Sequence, residues 1–61
     1  MSMNPQELQL AQRVQQACIE AAKKGFQEAL ISGLCSEGAM EVAISQIQML
    51  NLELIITKSD D

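Results

Sequence analysis

Between Asn4 and Leu30 apolar residues recur at three- and four-residue steps, the spacing that gathers side chains on one side of an α-helix. At about 100° per residue, Leu10, Ala11, Val14, Ala17, Cys18, Ala21, Ala22 and Ala29 form one broad face. Gln9, Arg13, Gln16, Glu20, Lys23, Lys24 and Gln27 take the opposite side, and only Gln15 and Glu28 intrude on the apolar one. The start is well marked. Asn4 suits the N-cap, Pro5 the first helical position and Glu7 the third, from which its carboxylate reaches back in a capping box. The pattern predicts a first helix over residues 5–30 and a loop over residues 31–35.

Gly25 interrupts good helix formers in the run AAKKGF, and lysines followed by glycine resemble a helix end. Gly25 nevertheless falls near the centre of the apolar face, and the pattern continues in phase to Ala29. An interior glycine costs up to about 1 kcal/mol relative to alanine, but it lets another backbone come close. With Ala17, Cys18, Ala21 and Ala22 it makes a seam of small residues, the mark of a tight helix–helix contact. A break at Gly25, giving three helices, stays open at this point; Gly33 is the better terminator.

The second pattern is sharper. Met40, Ala43, Ile47, Leu50 and Leu54 step by three, four, three and four residues, a heptad-like seam widened by Ala39 and Ile44. Glu37, Glu41, Ser45 and Gln48 lie on the outer side, and Ser36 is the expected N-cap, with Ser32 as its competitor. This predicts a second helix over residues 36–52 and a flexible tail over residues 57–61. Between them Leu52, Leu54 and Ile56 alternate with Asn51, Glu53 and Ile55, so helix, strand and coil all remain open for residues 52–57. The whole reads as one small all-α domain over residues 1–61, an antiparallel helical hairpin.

Size bears on what completes it. A chain of 61 residues buries only about 60% of the surface its unfolded form exposes. Proteins this short commonly add disulfides, a metal or a partner. Cys18 and Cys35 are the only cysteines and there is no histidine, so no three- or four-ligand zinc set of the preferred types can be assembled, and no cofactor is expected. The N-terminal residues lack a secretory pattern, which sets the expectation of a cytoplasmic protein with reduced thiols. Self-association is the route left. Doubling the hairpin gives a four-helix bundle, and the expected contact surface is Val14, Ala17, Cys18, Ala21, Gly25, Met40, Ala43, Ile44, Ile47, Leu50 and Leu54. The expected partner is a second copy or another helical protein.

Other classes fit poorly. Four basic residues against eight acidic ones give a net charge of −4, and a single aromatic residue, Phe26, offers no stacking platform, so nucleic acid is not an expected partner. No apolar run approaches the length of a membrane span. Cys35 near a helix N-terminus is a candidate reactive thiol, with Glu37 opposing its ionisation, yet no histidine exists to act as its base. Glu37 and Glu41, one turn apart, read as a solvated face. The glycines Gly33 and Gly38 lack the Lys and Ser/Thr of a phosphate loop. No catalytic and no metal-binding residue is assigned, and the chain is expected to bind rather than catalyse.

Two resemblances add to this. The segment GLCSEGAMEVAISQIQMLNLE is similar to the latter part of a tetratricopeptide repeat, with Leu30, Leu34, Gly38, Met40, Ala43 and Ile47 at its hydrophobic and glycine positions. That repeat spans about 34 residues, so one copy fits. The run from Gln16 to Glu53, with Ser32 to Gly38 as an SGLC-x-EG motif, resembles a group of very small uncharacterised bacterial helical proteins that often carry an automatic acetyltransferase label. A hairpin of this size has no room for an acetyl-CoA cleft. The resemblance therefore implies a bacterial binding protein, with an accessory or regulatory subunit of a larger enzyme, such as an acyltransferase, as the alternative. A thiol-based redox sensor using Cys35 stands third.

Overall fold

A computed structural model describes residues 4–57 as three α-helices, with no strand among them. These are α1 (Pro5–Ile31), α2 (Ser36–Gln48) and α3 (Leu52–Thr57). The long α1 is the spine. Both α2 and α3 pack along it, and they do not pack on each other. The result is a flat molecule of 43 × 28 × 13 Å in which no helix is enclosed by its neighbours.

The ends of α1 follow from local chemistry. The Asn4 side chain accepts from the Glu7 backbone N–H at 2.8 Å, and the Glu7 carboxylate accepts from the Asn4 N–H at 3.2 Å. The capping box is thus complete. At the other end Gly33 takes φ +102°, a left-handed conformation that costs a side-chain-bearing residue strain. This lets the Leu34 N–H donate to the Ala29 carbonyl and the Gly33 N–H to the Leu30 carbonyl, each at 3.0 Å. Both bonds satisfy carbonyls that the helix end would leave unpaired. Ser32, one of the expected caps of the second helix, instead closes the first: its Oγ donates to the Glu28 and Ala29 carbonyls.

Two expectations are corrected. Ser36 is not the N-cap of α2; Cys35 holds that position in extended geometry, and Ser36 is the first helical residue. Nor does one helix run over residues 36–52. The described residues do form three helices, but the break falls at Met49–Asn51, while Gly25 sits unbroken inside α1. The Met49 and Leu50 N–H groups close α2 onto the Ser45 and Ile47 carbonyls. Asn51 then restarts the helix, its side chain accepting from the Leu54 N–H at 3.1 Å. Residues 52–57, whose conformation the sequence leaves open, are therefore α3, stitched at its end by a 2.7 Å bond from Thr57 Oγ1 to the Glu53 carbonyl. Of the tail expected over residues 57–61, Thr57 is helical and residues 58–61 lie outside the described ones.

Candidate interaction surface

The contact between α1 and α2 is made by very small residues. Gly25, Ala29, Ala39 and Ala43 are the buried residues of the two helices, and Ala39 has no exposed surface at all. Gly25 sets the approach. A Cβ built there would stand 2.7 Å from Gln46 Cγ and 3.4 Å from both the Ala43 Cα and the Val42 carbonyl oxygen. The helices therefore meet closely here: the backbone of α2 stands at ordinary contact distance, and the Gln46 side chain fills the space a Cβ would need. Three buried alanine methyls contribute about 2–3 kcal/mol in total, at roughly 0.8 kcal/mol per buried carbon group. That is a small return for ordering 40 helical residues, 27 in α1 and 13 in α2.

Larger apolar side chains lie beside this seam, half-buried at Phe26 and Ile47 and open to water at Met40 and Ile44. Ala22, Lys23 and Phe26 of α1 and Met40, Ala43, Ile44 and Ile47 of α2 line a groove of about 380 Å³. Met40 is 57% exposed and Ile44 49%. Helical spacing extends the groove along α1, because Ile19 and Leu30 stand seven residues before and four after Phe26, and both are exposed. The wall is apolar, and Lys23 contributes to its α1 side.

The eleven expected contact residues divide into several places. Gly25 and Ala43 are buried between α1 and α2. Met40, Ala43, Ile44 and Ile47 line the groove. Val14, Ala17, Cys18 and Ala21 are half-buried along α1, and Ala17 shares a smaller recess of about 200 Å³ with Ile55 of α3. Leu50 lies half-buried in the turn after α2, and Leu54 is 62% exposed on α3. The step from Ile47 through Leu50 to Leu54 is thus not one helical stripe. Sequence reasoning placed Ala22 in the small-residue seam but left out Ile19, Phe26 and Leu30 as contact residues. The signal was present in their spacing of seven and four residues, one flank round from the alanine stripe.

The candidate chemical groups are elsewhere. Cys35 is exposed at the N-terminus of α2. Its sulfur makes no capping hydrogen bond of good geometry, but the backbone N–H groups of Gly38, and next Glu37, face it and hold its pKa below the ordinary thiol value. Cys18 is half-buried on α1. Glu37 and Glu41 are both exposed. Among the described residues no three His, Cys, Asp or Glu side chains come together as a metal-binding group. A more polar recess of about 390 Å³, lined by Gln6, Gln9, Leu10, Arg13 and Ile56, separates α1 from the end of α3. There Arg13 Nη1 is shielded from water without a hydrogen-bond partner among the described residues. No described helix is long and apolar enough to cross a membrane. Comparison of the chain with protein-family models, with curated proteins and with solved structures finds no match.

Proposed function

We propose that this chain is a small non-catalytic protein that acts by helix–helix association in the bacterial cytoplasm, and that its first partner is a second copy of itself. One observation carries the reading: the groove between Phe26 and Met40–Ile47 leaves Met40 and Ile44 about half in water, while the buried residues of the two helices are only glycine and alanine. Burying the exposed half of Met40 and of Ile44 adds about 1.5–3 kcal/mol per chain, comparable to what the three buried alanine methyls supply. A binding role also suits the thiol chemistry, since Cys35 stands in a chain without histidine.

Sedimentation velocity and light scattering on the purified full chain test this directly. The expected result is a species of twice the 6.7 kDa chain mass, with helicity that falls as the protein is diluted through the dissociation constant. A folded monomer that keeps its helicity on dilution overturns the reading.

A further inference from the structure

The geometry points to a specific pairing: we propose that a second copy covers the groove about a two-fold axis parallel to the helices, so that α1 of each copy lies over α2 of the other. This rests on the self-association proposed above and adds its surface and its arrangement.

Charge selects the arrangement. Lys23 forms the α1 rim of the groove. On α2, Glu41 precedes Ile44 by three residues and follows Glu37 by four, which puts both exposed carboxylates on the outer shoulder beyond Met40 and Ile44. The groove thus has a basic edge and an acidic edge. Turning a second copy about an axis across the helices sets α1 on α1, basic edge on basic edge and acid on acid. Turning it about an axis along the helices sets each basic edge on the acidic edge of the other copy.

Height agrees with this. Gly25 stands level with Val42 and Ala43, so in the antiparallel pair Lys23 is level with the segment around Ile44. An axis along the helices preserves height, which leaves Glu41 of the second copy about 5 Å along the axis from Lys23, roughly one helical turn. Both side chains are long enough to close that offset, and symmetry makes the pair twice. Such rim pairs fix orientation more than they add affinity.

The test measures the dimer dissociation constant of the full chain by sedimentation equilibrium at low salt, with helicity followed by circular dichroism. Lys23→Glu and Glu41→Lys alone each create two like-charge contacts and weaken the dimer about three- to thirtyfold. The double variant Lys23→Glu/Glu41→Lys recreates both pairs with their signs exchanged and restores the wild-type value. If a single variant also loses helicity, recovery of both helicity and dimer in the double variant supports the pairing. A wild-type dimer whose single variants bind as well as the parent overturns the pairing while the dimer stands, as does a double variant no tighter than the singles. A monomeric wild type overturns the self-association and the pairing together.

Discussion

Two strips run side by side along α1, and they are built on opposite rules. The strip under α2 is glycine and alanine: Gly25, Ala29, Ala39 and Ala43, all buried. The strip next to it is Phe26, Met40, Ile44 and Ile47, which carry far more apolar surface; Phe26 and Ile47 are half-buried, while Met40 and Ile44 keep about half of theirs in water. In a self-sufficient core the large residues would be inside. Here the chain spends its smallest residues on fixing how two helices meet and leaves its largest beside the joint. The buried strip specifies geometry; the strip beside it leaves Met40 and Ile44 about half exposed, with hydrophobic free energy still to be gained. A substitution should therefore act on folding in one strip and on association in the other.

The largest effect is expected at Gly25. Leucine there would press on Gln46 and on the backbone of Val42 and Ala43, and overpacking of this kind costs about 1–3 kcal/mol. Urea unfolding of Gly25→Leu should show a loss near the top of that range, or no folded state at all. Alanine is a sharper probe. Its Cβ conflicts chiefly with Gln46 Cγ, because the remaining contacts at 3.4 Å are ordinary ones. In a Gln46→Ala background, Gly25→Ala should recover up to about 1 kcal/mol of helix propensity; a further loss would mean that the backbone contact is tighter than described.

Ile44→Glu addresses the open strip. Since Ile44 is already 49% exposed, the α1–α2 seam loses little, but each copy would place a carboxylate in the groove. The dimer should weaken at least thirtyfold, about 2 kcal/mol, as read by sedimentation equilibrium, and an unchanged dissociation constant would place the partner elsewhere. Next come the local stops. Gly33→Ala forces a Cβ into φ +102° and should cost about 1 kcal/mol of stability in urea unfolding. Asn51→Ala removes the bond to the Leu54 N–H and should cost about 0.5–1 kcal/mol, confined to α3 and visible as a small loss of helicity.

The smallest effect concerns Cys35. The N–H groups of Gly38 and Glu37 favour its thiolate in the folded chain. Its alkylation rate should therefore rise with pH at a lower midpoint than in the urea-unfolded chain, measured in a Cys18→Ser background. The sign of the linkage follows: the folded state gains slightly as pH rises through the lowered pKa, and that gain is lost as pH falls back through it. A midpoint equal to or above the unfolded one would remove the helix N-terminus as an influence on this thiol.

The sequence was most legible where a signal acts over three or four residues. The Asn4–Pro5–Glu7 start and the Gly33 stop require only their own neighbours, and both stand in the structure as read. The break at Met49–Asn51 was hidden, because Ile47, Leu50 and Leu54 keep a helical period straight across it. Asn51 was the visible clue, a strong N-cap residue followed by Glu53 in the first turn of α3. The groove was the hardest to foresee. Periodicity showed a broad apolar face on α1, but which flank stays open depends on where α2 comes to rest. That is decided by the fit of Ala43 and Val42 against Gly25, which no spacing encodes.

The three-residue turn before α3 has one further consequence. This helix has no buried residue and touches α1 alone, so it can lift away without disturbing the Gly25 joint. Opening of that kind needs far less free energy than global unfolding. The chain is thus a molecule with two clocks. Amide protons at Leu54 and Ile55 should therefore exchange with solvent on the fast one, and those at Gly25, Ala39 and Ala43 only when the helices part.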